Sequence, residues 1–83
     1  MNVKEKIKEA LKENKAILGY REVLKFIRNN NVELVVLAKN TPEKIKNIIL
    51  HSNVAVEIFD GSSKEMGTLC GKPYPVAVIA IKG

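Results

Sequence analysis

A short amphipathic segment that opens on a glycine carries the residues best suited to binding chemistry. In the segment LGYREVLKFIRNNN, residues 18–31, one predicted helix side is apolar and the other bears Arg21, Glu22, Lys25 and Arg28. A helix that begins at Gly19 leaves its first backbone N–H groups without helical partners and has the positive end of its dipole there. Because glycine lacks a side chain, a phosphate or ribose can approach those amides closely. The segment is therefore a candidate anion-binding surface, and Arg21, Lys25 and Arg28 are expected to extend its positive charge along the helix.

Glu22 is the one carboxylate on this basic helix side, and three interpretations of it are open. It can complement the helix dipole, an effect of about 0.3–1 kcal/mol. It can pair with Lys25 or with a lysine of the first helix. It can also read a base, because a carboxylate accepts two N–H groups from a guanine edge while a neighbouring lysine donates to O6. If the helix only attracted phosphate, the negative charge of Glu22 would weaken that attraction. This is the reason for considering base reading.

The sequence offers little for an enzyme or a metal site. Cys70 and His51 each occur once, and no Asp or Glu lies at a spacing that would orient them as a catalytic pair. A lone Cys near a helix end is more often a small core residue than a nucleophile. Gly61, Gly67 and Gly71 do not form a phosphate-binding glycine motif. We therefore expect no catalytic residue, no metal and no cofactor.

Length and composition indicate one small, basic domain that spans residues 1–83. The chain has 14 Lys and Arg against 9 Asp and Glu, a net charge of +5, and 46% apolar residues. Its pI near 9.5 is typical of nucleic-acid binders, although an inert basic surface gives the same value. A single Cys excludes an internal disulfide and fits a reducing compartment. Neither a secretory signal nor an apolar run of the ~20 residues needed to span a membrane is present, so we expect an intracellular protein.

Hydrophobic periodicity predicts four alternations of helix and strand. The predicted elements are a helix over 3–13, a strand over 15–18, a helix over 19–29, a strand over 33–38, a helix over 41–51, a strand over 54–59, a short helix over 62–71 and a strand over 75–81. Two of these strands are apolar on both faces, which is typical of a sheet between two helix layers. The fold class is therefore α/β.

Two helix starts carry recognisable capping residues. Thr41 is the predicted N-cap of the third helix, ahead of Pro42 in the first turn. Ser62 and Glu65 fit a capping box for the fourth helix, and Gly71 is predicted to end that helix.

Three linked segments resemble a known family of RNA-binding proteins. GYREVLK, VVLAKNTP and GTLCGKPYPVAVIAI are similar to segments of the kink-turn RNA-binding ribosomal proteins, in the same order over residues 15–81. The similarity is greatest to the archaeal and eukaryotic large-subunit branch called L-thirty-e. The resemblance implies a single-domain three-layer α/β/α sandwich with a mixed four-stranded sheet. It also implies recognition of a kink-turn, an RNA internal loop that bends sharply around tandem sheared G·A pairs.

The resemblance carries the family's RNA-binding residues onto defined positions. Its Gly–x–Lys/Arg–x–x–x–Lys signature falls on Gly19, Arg21 and Lys25, and Glu22 lies where relatives carry a Gln or Glu that touches the guanines. The implied RNA-binding set is Gly19, Tyr20, Arg21, Glu22, Lys25, Asn40, Gly71, Lys72, Pro73 and Tyr74. The last four form a loop that packs against the extruded base in relatives, although a ring such as Tyr74 near a strand start is often half-buried packing.

The resemblance implies a structural, non-enzymatic protein of the large ribosomal subunit that recognises a kink-turn in ribosomal RNA. Its expected partners are RNA and the ribosome, and we expect no association with a membrane. We also expect it to act as a cytoplasmic monomer. Two alternatives share the fold: a kink-turn binder of another ribonucleoprotein particle, and a protein-docking module. A small enzyme that uses Cys70 is a third alternative, from another class.

Overall fold

Helices and strands alternate along the chain, as the hydrophobic patterns predict. The computed structural model describes residues 2–83. The elements are α1 (Val3–Lys12), β1 (Ala16–Leu18), α2 (Tyr20–Asn29), β2 (Val32–Ala38), α3 (Glu43–Leu50), β3 (Val56–Phe59), α4 (Ser63–Leu69) and β4 (Val78–Lys82). None of the helices in residues 2–83 is long and apolar enough to cross a membrane.

The four strands form one mixed sheet in the order β1-β4-β2-β3. The β4 strand is antiparallel to both of its neighbours, whereas β2 and β3 are parallel. Leu18 lies opposite Ile79 and Leu37 lies opposite Val78, so the ends of β1 and β2 meet the start of β4. The connections that follow β1, β2 and β3, together with the one that precedes β4, therefore gather at one edge of the sheet. We call this edge, formed by residues 19, 39–42, 60–62 and 70–77, the loop edge.

The sheet separates two apolar clusters, because successive side chains of a strand point to opposite faces. Leu34, Val36 and Ala38 of β2 face the layer of α1 and α4, where Ile7 and Met66 are fully buried. On the other face, Val35 and Leu37 pack with Val23 of α2 and Ile49 of α3. Burying each such side chain contributes roughly 1.5–3 kcal/mol. This arrangement confirms the predicted α/β/α sandwich with a mixed four-stranded sheet.

The third helix does not begin as predicted. Its N-cap is Pro42, without a side-chain capping bond, and the helix begins at Glu43. Thr41 is buried, and its hydroxyl lies 2.7 Å from the Ala38 carbonyl and 3.2 Å from the Ala77 carbonyl. The prediction of Thr41 as N-cap is wrong, because its hydroxyl fastens the end of β2 to the segment before β4.

The last strand starts three residues later than the apolar pattern suggests. Val76 donates its N–H to the Ser63 carbonyl at 2.9 Å, and the Ala77 carbonyl accepts the Ala38 N–H at 2.8 Å. Pro75 has no N–H to donate. Residues 75–77 are therefore bonded to α4 and to the end of β2, and regular pairing of β4 begins at Val78.

The remaining helix ends agree with their capping residues. Ser62 caps α4 by accepting the Glu65 N–H at 3.2 Å, which is one half of the predicted capping box. Gly71 follows α4 at a φ of 74°, and Asn14 follows α1 at a φ of 56°. Both are left-handed conformations that end helices.

Candidate nucleic-acid interface

Gly19 joins β1 directly to α2 and occupies a backbone conformation that requires glycine. Its φ is 97° and its ψ is 144°, a combination that L side chains rarely adopt. Its N–H donates to the Val78 carbonyl at 2.9 Å, which fixes the start of α2 to the start of β4. Apart from the adjacent residues, no atom lies within 4 Å of a Cβ built at this position, and no side chain caps the helix. The first amides of α2 are consequently open to an incoming group.

The polar side of α2 presents its charges to solvent. Arg21, Glu22, Lys25 and Arg28 are all exposed. Within residues 2–83 no ion pair involves any of the four, so the structure does not support a pairing of Glu22 with Lys25 or with α1. Glu22 lies in the first turn, which leaves dipole complementation and base reading as its two interpretations.

The ends of α2 differ in their distance from the loop edge. Arg21, Glu22 and Lys25 lie in the first two turns, whereas Arg28 lies in the last turn of this ten-residue helix. A helix of that length extends about 15 Å, so Arg28 lies far from the loop edge. Tyr20 is only partly exposed, because its side chain packs against the apolar cluster under α2.

Asn40 lies in the connection between β2 and α3, where its side chain binds to another part of the protein. The Asn40 Oδ1 accepts the Ser63 N–H at 2.8 Å, and its Nδ2 lies 3.4 Å from the Ser63 Oγ. The neighbouring Lys39 pairs with Asp60 at 3.5 Å, and both side chains are largely exposed. The residue predicted to contact RNA is thus also bonded to the first residue of α4.

The loop over residues 71–74 lies close against α4. Lys72 donates its N–H to the Gly67 carbonyl at 2.9 Å. A Cβ at Gly67 would collide with the Tyr74 carbonyl oxygen, so the helix must present a glycine there. Lys72 and Pro73 are exposed, and Tyr74 as a whole residue is 54% exposed. An exposed aromatic ring on a tightly held loop is suited to stacking on an unpaired base.

The predicted residues meet at the loop edge because β4 lies between β1 and β2. Gly19 follows β1, Asn40 follows β2, and the segment that begins at Gly71 leads into β4 between them. Neighbouring strands are about 4.8 Å apart, so two strand spacings place the first two connections about 10 Å from each other. The structure thus brings the first turns of α2, Asn40 and the 71–74 loop together, and leaves Arg28 outside the group.

Sequence reasoning missed two residues that shape this edge, Ser63 and Gly67. A glycine inside a predicted helix signals close backbone approach, and that signal was present at Gly67. The role of Ser63 depends on contact with Asn40, which is far away in the sequence, so no local signal could have found it.

Cys70 and His51 do not form a catalytic pair. Burial raises the pKa of the Cys70 thiol, an effect that nearby Lys72 opposes, and a raised pKa disfavours the reactive thiolate. His51 ends α3 with its Nδ1 2.7 Å from the Asn47 carbonyl oxygen. The two residues end helices on opposite faces of the sheet. Within residues 2–83 there is also no group of three or more potential metal ligands.

Comparison with known proteins gives a match over the full length. Residues 1–83 match the Ribosomal protein L7Ae/L30e/S12e/Gadd45 family. The chain belongs to this family. Membership confirms the resemblance predicted from the GYREVLK and VVLAKNTP segments.

Two similar curated relatives are ribosomal proteins. The chain is 37% identical to the large ribosomal subunit protein eL30 of Methanosarcina mazei, over 98% of this chain and 79% of that protein. It is 39% identical to the eL30 protein of Archaeoglobus fulgidus, over 90% of this chain and 87% of that protein. These relatives confirm the predicted likeness to the L-thirty-e branch. They also confirm the prediction of a non-enzymatic protein, because they are named as ribosomal components.

Two solved structures share the fold at lower sequence identity. A Bacillus halodurans protein of unknown function superposes with a TM-score of 0.78 at 24% identity, over 89% of this chain and 77% of that chain. The Giardia lamblia 15.5kD RNA binding protein superposes with a TM-score of 0.74 at 23% identity, over 93% of this chain and 68% of that chain. Both support the α/β/α architecture.

Proposed function

We propose that this protein is a structural RNA-binding protein of the large ribosomal subunit, and that it recognises a kink-turn in ribosomal RNA. The observation that carries the proposal is the open start of α2 at Gly19, beside exposed Arg21 and Lys25. Relatives at 37% and 39% identity that are named large ribosomal subunit protein eL30 support the ribosomal assignment. The proposed setting is the cytoplasmic ribosome, with the protein bound as a monomer.

Each part of the loop edge has a proposed role toward the bent RNA. The first amides of α2 and the side chains of Arg21 and Lys25 hold phosphates of the folded strand. Glu22 accepts N–H groups from guanines of the G·A pairs, which are accessible because the RNA is distorted from a regular helix. Pro73 and Tyr74 pack against the extruded base, and Lys72 binds a nearby phosphate.

A pair of matched RNAs tests this proposal. One RNA contains the kink-turn, and the other has the same length and charge but carries Watson–Crick pairs in place of its tandem G·A pairs. We expect at least about tenfold tighter binding to the kink-turn in a gel-shift titration, the scale of one or two base contacts. Equal affinity for both RNAs would contradict recognition of the kink-turn and leave only charge attraction.

The ribosomal assignment has its own test. Crosslinking of the protein in cells, followed by sequencing of the attached RNA, is expected to recover one region of large-subunit ribosomal RNA. Recovery of another RNA, with the in vitro preference for the kink-turn retained, would place the protein in a different ribonucleoprotein particle.

A further inference from the structure

Ser63, the first residue of α4, joins two connections of the loop edge. Its N–H donates to the Asn40 Oδ1 at 2.8 Å, which ties it to the β2–α3 connection. Its carbonyl accepts the Val76 N–H at 2.9 Å, which ties it to the segment after the 71–74 loop. One residue in the backbone of α4 therefore fixes the position of Asn40 relative to the loop that carries Tyr74.

One further contact joins the same two connections, and another holds the 71–74 loop against α4. The Thr41 hydroxyl lies between the Ala38 and Ala77 carbonyl oxygens, and Thr41 is buried. Gly67 admits the Tyr74 backbone against α4, where a Cβ would collide. The Asn40 side chain is exposed, so a direct contact with RNA would compete with its bond to Ser63.

We infer that Asn40 is a positioning residue, which acts through Ser63 to hold the β2–α3 connection and the 71–74 loop in their binding arrangement before RNA arrives. The inference rests on the proposed function and adds a role that lies within the protein. Loops that are already fixed lose less conformational freedom on binding, so their contacts contribute more to affinity. Breaking the Asn40–Ser63 bond is therefore expected to weaken RNA binding even when every RNA-facing side chain is retained.

Ser63→Pro removes the bond and leaves Asn40 in place. Proline lacks the N–H that Asn40 accepts, and the first position of a helix tolerates proline well. Ser62 has a φ of −79° and a ψ of 167°, an extended conformation that suits a residue before proline. Ser63→Ala is the matched control, because it removes the hydroxyl and keeps the N–H.

The affinity for the kink-turn RNA separates positioning from direct contact. We expect Ser63→Ala to bind within about twofold of the unmodified protein, and Ser63→Pro to bind about fivefold more weakly, the effect of one hydrogen bond. Adding Asn40→Ala to Ser63→Pro is expected to cause little further loss. If Ser63→Pro binds like Ser63→Ala while Asn40→Ala alone is weakened, Asn40 contacts RNA directly and the inference is overturned.

Hydrogen exchange without RNA gives a second, independent measurement. In Asn40→Ala, the Ser63 amide is expected to exchange at least about tenfold faster, because it loses its acceptor. An unchanged Ser63 exchange rate overturns the inference, whatever the proline variant does. If the unmodified protein fails to prefer the kink-turn, the proposed function fails, and the exchange rate still decides whether Asn40 holds the loops.

Discussion

Gly19 combines a folding requirement and a binding surface in one residue. Its φ of 97° demands glycine, and its N–H bond to Val78 fixes where α2 begins. The space where a Cβ would lie is open, and under the proposed function this opening lets a phosphate approach the first amides of α2. A substitution here is therefore expected to affect stability and binding together.

Gly19→Ala is expected to lower the free energy of unfolding by about 1–3 kcal/mol. The cost comes from backbone strain, because the new Cβ meets no atom of a residue outside its chain neighbours within 4 Å. Urea denaturation followed by circular dichroism measures it. Asn29→Ala, an exposed change at the other end of α2, is the control and should stay within about 0.5 kcal/mol. An equal, small cost for both variants would refute the strain at Gly19.

Glu22→Ala is expected to reduce the preference for the kink-turn RNA over its Watson–Crick counterpart by roughly tenfold, the value of a base contact. Affinity for the counterpart should rise slightly, because a negative charge is lost near phosphates. Titration of both RNAs measures the ratio. Glu9→Ala removes the same charge from an exposed position on α1, across the sheet. If Glu22→Ala and Glu9→Ala gave the same ratio of kink-turn to counterpart affinity, Glu22 would act only through its charge.

At the scale of the elements, the short α4 holds the loop edge together. Its first residue bonds to Asn40 and Val76, its interior Gly67 admits the Tyr74 backbone, and Gly71 ends it in a left-handed turn. Its apolar side, with Met66 fully buried, anchors it to the sheet. The position of the 71–74 loop is therefore set by α4.

Gly67→Ala tests this dependence, because helix propensity and packing predict opposite outcomes. Propensity alone predicts a gain of about 1 kcal/mol in stability when alanine replaces a helical glycine. Collision with the Tyr74 carbonyl predicts a loss of about 1–3 kcal/mol. We expect the loss, measured by thermal and urea unfolding. Lys64→Ala, an exposed change in the same helix, controls for propensity. A stabilised Gly67→Ala would show that the loop can move away from α4.

The helices and strands were largely predictable, and the contacts between their connections were not. Periodicity located α2 and the doubly buried β2, because burial leaves a regular apolar pattern in the sequence. The start of β4 was missed, since residues 75–77 are apolar in the pattern yet bond to α4 and to the end of β2. Thr41 fits an N-cap in sequence, and only the tertiary structure shows that its hydroxyl lies between the Ala38 and Ala77 carbonyl oxygens.

The same division holds for the candidate site. Gly19 and the charges of α2 could be read from the sequence, because glycine and helical spacing are local signals. That Asn40 bonds to Ser63 could not, because 23 positions separate the two residues along the chain.

At the scale of the whole molecule, the surplus of positive charge is expected to draw RNA toward the protein. The net charge of +5 adds a long-range attraction that does not depend on sequence. The proposed specific contacts at the loop edge would act only after this encounter. A higher salt concentration should therefore weaken binding to both the kink-turn RNA and its Watson–Crick counterpart, and the preference for the kink-turn should persist.

Lys72→Ala is expected to weaken binding to both RNAs by a similar factor and to leave their ratio unchanged. Each lost phosphate contact should reduce the slope of log affinity against log salt by about 0.7–0.9. Titrations at several salt concentrations measure this slope. Lys8→Ala removes an exposed charge from α1 and should leave the slope nearly unchanged. A kink-turn preference lost with Lys72 would instead assign that residue to base recognition.

The position of β4 inside the sheet affects when, during folding, the surface at Gly19 forms. The β1 strand pairs with β4 alone, and the N–H of Gly19 is held by Val78 at the start of β4. Two strands that are far apart in the sequence must therefore meet before α2 acquires its final orientation, and such distant pairings form slowly. A chain in which β4 has not yet joined the sheet therefore lacks the finished surface at Gly19, so this surface is expected to form only when the whole sheet forms.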